Sequence, residues 1–123
     1  GLSVVDASAL DSIESCDWLL LCTGQSEKWG SEEYFGTEPL FTEAFVKAAA
    51  RIARKGIGLD CSGLDREGVA LHRLWFSSGG GLMVENLTDL EMLLSESRIL
   101  FAAYPLKLAA VDGAPVRAVA MLV

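Results

Sequence analysis

The apolar positions of the chain alternate between two periods, and the alternation predicts its elements. Leu10 and Ile13 lie at helical spacing behind two capping candidates, Asp6 and Ser8, and predict a short helix. Residues 18–22, WLLLC, form an unbroken apolar run closed by Gly24 and predict a strand buried on both faces. From Gly24 to Pro39 the pattern turns polar and irregular, which predicts a long loop. Thr42 then caps a helix over residues 43–55, stopped by Gly56, with Phe45, Ala48, Ala49 and Ile52 on one apolar face. Glu43 and Lys47 form an i,i+4 pair in the favourable order on its solvent side. A short strand over residues 57–61 completes a strand–helix–strand unit, so the two strands are expected to be parallel.

The remainder continues the alternation. A helix is expected from Arg66 to Ser77, with Val69, Leu74 and Trp75 among its apolar positions, then a Ser/Gly turn and a strand at 82–85. Because a strand follows Ser77-Ser78-Gly79-Gly80-Gly81, that run is not a phosphate loop, which needs a helix after it. Thr88 and Asp89 start a short helix through Leu94. Residues 98–108 read as a strand with an edge or bend at Pro105, Asp112-Gly113 as a turn, and residues 116–123 as a final strand. The segments 99–104 and 118–123 are expected to be buried on both faces. The pattern predicts one α/β domain over residues 1–123, without repeat or linker.

Composition narrows the function classes. The 123 residues carry 10 Lys and Arg against 17 Asp and Glu, a formal charge of −7. That excess repels phosphate backbones, so nucleic acid is not an expected partner. Mean hydropathy is +0.35, apolar for a chain of this size, yet the apolar runs are too short to span a bilayer. Cys16, Cys22 and Cys61 form no C-x-x-C pair, and no leader pattern precedes them. The expectation is reduced thiols, Cys22 and Cys61 in the core, in a cytoplasmic protein. Gly1 in place of a methionine suggests a cleaved tag or an excised segment.

The candidate chemistry lies in LHRLWFSSGGGLMVENLTDL at 71–90, which holds the only histidine, His72, and Glu85 thirteen positions later. With His72 on a helix and Glu85 closing a strand, the two converge at one end of a sheet. Asp60, Ser62 and Asp65 cluster where the preceding strand ends, the edge at which open α/β sheets place their chemistry. Ser62 sits in C-S-G and not in the G-x-S-x-G elbow of serine hydrolases. Cys61 with His72 is the thiol alternative. Trp29, Tyr34 and Phe35 either cover a core edge or line a pocket.

Several segments together resemble one family: LLLCTGQSEKW at 19–29, YFGTEPLFTEAF at 34–45, IGLDCSGLD at 57–65, LHRLWF with VENLTDLE through Glu91, and PLKLAAVDGAPVRAVAMLV to the end. The pattern is similar to the cyclase family of metal-dependent hydrolases, which includes kynurenine formamidase and isatin hydrolase. Whole members begin with a His-x-Gly-Thr-His-x-Asp metal motif that this sequence does not contain, so the resemblance is to the C-terminal half. It implies part of a swivelling β/β/α fold and hydrolysis of a formamide or cyclic amide, such as an aryl formamide, by metal-activated water. It further implies that His72 and Glu85 are catalytic and hold a divalent metal, zinc or manganese, bound weakly or not at all by this chain alone. A small-molecule amide is the implied substrate. The alternative is a non-catalytic, shortened relative acting as an oligomerisation or interaction module. The apolar excess leads to an expected homodimer or higher homo-oligomer.

Overall fold

A computed structural model describes residues 3–123, which divide after Glu91 into two compact units. In the first, β1 (Val4–Val5) leads through a 3-10 turn at Ala7–Leu10 to β2 (Cys16–Leu21). A second 3-10 turn, Gln25–Lys28, opens the long loop, and β3 (Leu40–Phe41) closes it. Then come α1 (Glu43–Ile52), β4 (Ala53–Leu59), α2 (Ala70–Ser77) and β5 (Leu82–Val84).

Strands β2, β4 and β5 form one parallel sheet in the order β2-β4-β5, with Leu19 opposite Ile57 and Gly58 opposite Val84. The strand–helix–strand expectation therefore holds. Parallel strands end on one edge, so Thr23, Asp60 and Glu85 all follow strand ends on the same side of the sheet. Strands β1 and β3 pair separately. Phe45, Val46, Ala49 and Ala50 of α1 are buried with Ile57 and Leu59 of β4, and Trp75 of α2 joins the same core.

Helix α1 begins as expected: Thr42 Oγ1 accepts the Phe45 N–H at 3.1 Å. It ends sooner, at Ile52, and β4 follows directly at Ala53. Gly56 is therefore a strand residue and not a helix stop. Its lack of a Cβ is required, because one would lie 2.3 Å from the Leu82 carbonyl oxygen and 2.7 Å from Trp18. Cys61 is buried, but Cys22 is only half-buried, and of β2 only Leu19 is fully buried. The helix expected from Arg66 begins at Ala70, because residues 66–69 make a turn in front of it.

The second unit holds β6 (Ile99–Pro105) and β7 (Val116–Leu122), antiparallel from Ile99 opposite Leu122 to Pro105 opposite Val116. Pro105 terminates the strand and does not bend it. Neither strand is buried on both faces. Leu100, Tyr104, Val119 and Met121 share one face and all are exposed. A lone two-stranded ribbon has no third layer to cover such a face.

The two backbone devices differ in cost. Thr42→Ala removes the cap bond and the hydroxyl's exposed bond to Asp6 Oδ1 (2.6 Å), and should lower stability by about 1 kcal/mol. Gly56→Ala forces a methyl into a backbone carbonyl and should lower it by roughly 2 kcal/mol or more. Urea denaturation of the two variants checks the order; equal losses would contradict the close packing at Gly56.

Candidate metal centre

The edge where β2, β4 and β5 end carries several acidic side chains, with distinct tasks. Asp60 is fully buried and accepts from the Thr23 N–H (2.9 Å), the Thr23 hydroxyl (2.6 Å) and the Gly24 N–H (2.8 Å). It is a clamp between the ends of β2 and β4, closed to any ligand. Glu38, nearly as buried, accepts from the Gly36 N–H at 2.6 Å and the Ser62 hydroxyl at 3.2 Å, with Arg66 Nε at 3.7 Å. The expected Asp60–Ser62–Asp65 cluster is thus divided among three separate networks.

Asp65 belongs to the third. One carboxylate oxygen accepts the Leu71 N–H and the other the His72 N–H, both at 2.8 Å, which caps the start of α2 from outside the helix. The second oxygen also lies 2.6 Å from His72 Nδ1. His72 Nε2 in turn lies 3.0 Å from Glu85 Oε1. The expected convergence of His72 and Glu85 is therefore present, with Asp65 behind the ring. The Gly79–Gly81 turn that returns the chain is fastened by Trp75, whose Nε1–H donates to the Gly81 carbonyl at 2.8 Å.

Burial of His72 opposes its charge, but hydrogen bonds to Asp65 and Glu85 outweigh that and raise its pKa above the ordinary imidazole value. Burial of Asp65 likewise opposes its charge, here acting upward, yet the N–H groups of Leu71 and His72 and the imidazole hold it below the usual carboxylate range. The ring thus lies between two carboxyl groups that favour its protonated form. Gly63 makes room for it. A Cβ there would stand 2.7 Å from Glu85 Oε1 and 2.8 Å from His72 Cε1, and its φ of +139° disfavours any other residue.

Sequence reasoning missed Gly63, Glu38, and the Tyr34 hydroxyl that donates to Asn86 Oδ1 beside Glu85. Asp65 was found, but not its orienting role. An acidic residue shortly before a helix that carries His was the available signal for it. The thiol alternative fails: Cys61 Sγ donates to the Gly63 carbonyl, and burial pushes the thiol up to about 11. Both His72 nitrogens face carboxylates, leaving none to activate a thiol.

An imidazole and a carboxylate on converging elements suit a divalent ion of the zinc or manganese type. Among the described residues no group of three or more His, Cys, Asp or Glu is placed to hold one. The pair fits as part of a metal site.

No family model matches the chain. It is 32% identical over 115 residues to an uncharacterized protein of Methanocaldococcus jannaschii, covering 91% of this chain and 58% of that protein. Among solved structures it is similar to a potential metal-dependent hydrolase with cyclase activity (TM-score 0.72, 27% identity, 96% of this chain and 58% of that one). A predicted metal-dependent hydrolase from Bacillus stearothermophilus matches equally, at TM-score 0.72 and 27% identity over 94% of this chain and 56% of that one. An isatin hydrolase bound to the product analogue thioisatinate shares the fold at TM-score 0.74 and 19% identity, covering 97% and 53%. The chain thus has an α/β fold of the cyclase-type metal-dependent hydrolases, as the sequence resemblance implied. It spans a little over half the length of the relatives it matches.

The His72 triad carries a pH signature. A raised imidazole pKa contributes stability below the unfolded value of about 6.5, lost as pH rises through the folded value. In metal-free chain, thermal stability should therefore fall as pH rises from about 6.5 through the raised folded value. His72→Gln should flatten that slope. An unchanged slope in the variant would show that the ring is neutral between its two carboxylates.

Proposed function

We propose that the chain is part of a metal-dependent hydrolase that cleaves a formamide or cyclic amide, such as an aryl formamide, and forms part of a swivelling β/β/α architecture. The convergence of His72 Nε2 and Glu85 Oε1 at the ends of parallel strands carries the reading. The likeness to proteins named as metal-dependent hydrolases supports it. His72 and Glu85 would hold the ion, zinc or manganese, together with donors from outside this chain. When bound, such an ion supplies a Lewis acid that polarises a carbonyl and makes water nucleophilic at neutral pH.

The chain's own residues supply orientation and proton handling. Asp65 accepts the Nδ1 proton and keeps Nε2 aimed toward Glu85, so that once Nε2 gives up its proton its lone pair would be available to an ion. Glu85 is the more exposed of the two carboxylates, its side chain one-third accessible, and can accept a proton from an attacking water. Gly63 leaves the space in front of both free of side chain. Among the described residues no helix is long and apolar enough to cross a membrane, and the three cysteines are free thiols. Those thiols support a cytoplasmic setting.

Two donors hold a metal poorly, so the isolated chain should bind zinc or manganese no more tightly than the high-micromolar range (order of magnitude, from ligand count). Joined to the part of a relative that lies outside the match, it should hydrolyse an aryl formamide. His72→Ala or Glu85→Ala should then lower the rate by about a hundredfold or more. Full activity in both variants would remove the pair from the mechanism.

We also propose that the chain associates with itself, because Leu100, Tyr104, Val119 and Met121 expose one face of the β6–β7 ribbon. The same face serves the alternative reading, an interaction module without catalysis. The formal charge of −7 opposes contact between copies, so association should tighten with salt. Sedimentation equilibrium at micromolar concentration should show a dimer or larger species; a 13.2 kDa species in low and high salt alike would refute it.

A further inference from the structure

The loop between β2 and β3 contains a second site that the metal pair does not use. Gln25 is buried, and its side-chain amide donates to the Tyr34 carbonyl and to Thr37 Oγ1 at 3.1 Å. The Lys28 ammonium donates to Gln25 Oε1 at 3.3 Å and to Thr37 Oγ1 at 2.8 Å, and the Thr37 hydroxyl donates to the Glu33 carbonyl at 2.6 Å. These bonds cross-link the loop into a defined shape. On that frame stand three rings: Trp29 and Phe35 are both nearly perpendicular to Tyr34, at centroid distances of 4.9 and 5.0 Å.

The burial of the three is unequal. Tyr34 is 2% exposed, whereas Trp29 and Phe35 are 64% and 68% exposed. A cavity of about 350 Å³ is lined by Trp29, Gly30, Ser31, Tyr34 and Phe35, within the range of small-molecule pockets (roughly 300–1,000 Å³). Two large rings held open by a hydrogen-bonded frame do not cover a core; they offer π surface to something else. The Tyr34 hydroxyl bonds Asn86, the residue after Glu85, so the pocket is tied to the metal pair's own corner. Glu32 and Glu33, both exposed, lie between the pocket residues Ser31 and Tyr34, and the Lys28 ammonium is committed to Gln25 and Thr37.

We infer that this pocket is a binding subsite for a flat aromatic ring bearing a neutral or positively charged substituent, and that it discriminates against aromatic carboxylates. The rings supply stacking and cation–π attraction, and the adjacent glutamates repel anions. The inference deepens the proposed function, on which it rests only for which end of the ligand meets His72 and Glu85.

The test is a titration of the full metal-free chain with benzamide, benzylammonium, benzoate and cyclohexylmethylammonium, following the Trp29 indole N–H by NMR. Trp29 is identified by its loss in Trp29→Ala. Benzamide and benzylammonium should shift that signal saturably in the millimolar range, benzoate should bind roughly tenfold more weakly or not at all, and the cyclohexyl compound should bind at least about threefold more weakly than benzylammonium. Phe35→Ala should weaken benzamide at least about threefold without loss of fold, because the side chain is exposed. His72→Ala should leave the titration unchanged. Equal binding of benzylammonium and the cyclohexyl compound, equal binding of benzamide and benzoate, or indifference to Phe35→Ala would overturn the subsite. Ring binding that persists while the chain, joined to the unmatched part of a relative and supplied with zinc or manganese, hydrolyses no aryl formamide would instead refute the hydrolase reading and leave the pocket standing.

Discussion

The buried carboxylate of Asp60 is the constraint on which the rest of the site depends. A fully buried acidic side chain is tolerated only when donors surround it, and here both oxygens take N–H groups from Thr23 and Gly24 while one also takes the Thr23 hydroxyl. The donors lie at the exit of β2 and the acceptor at the exit of β4. The clamp therefore fixes where the aromatic loop begins. It also fixes where the chain continues into Cys61, Ser62 and Gly63, beneath His72 and Glu85. Two features distant in sequence share one origin for this reason.

The second constraint is the order β2-β4-β5. Because β4 is central, its residues meet neighbours on both sides, and Gly56 can carry no side chain between Trp18 and Leu82. In the sequence that glycine reads as a helix stop, since Lys55-Gly56 after an alanine-rich helix is the usual ending. A glycine needed for close approach and one needed for a left-handed turn look alike in one dimension. The parallel topology was legible because it follows from the spacing of apolar runs; the exact end of α1 was not, because it depends on a strand twenty-six positions further on, Leu82.

The same distinction separates what was legible in the site. His72 and Glu85 stood out by residue type and by resemblance, and the local pattern put one on a helix and the other at the end of a strand, which in fact stops one residue earlier, at Val84. Gly63, Glu38 and the Tyr34–Asn86 bond were invisible because each acts through a contact formed only in three dimensions. Strands β6 and β7 were placed correctly, yet their burial was not. An apolar run reports a preference for burial and not whether a partner surface is at hand.

The two carboxylates that flank His72 are not interchangeable, and the difference assigns their tasks. Asp65 is nearly inaccessible, its side chain 5% exposed, and its oxygens are already engaged by two backbone N–H groups and the ring. It can orient the imidazole but has no open position for an ion or a water. Glu85, 33% exposed, meets the ring through one oxygen. An ion held by His72 Nε2 and Glu85 would take the place of a proton shared between them. Asp65 would stay as it is. On the proposed reading, exchanging one proton for a cation would turn this chain of hydrogen bonds into a ligand pair, with Asp65 still orienting the ring.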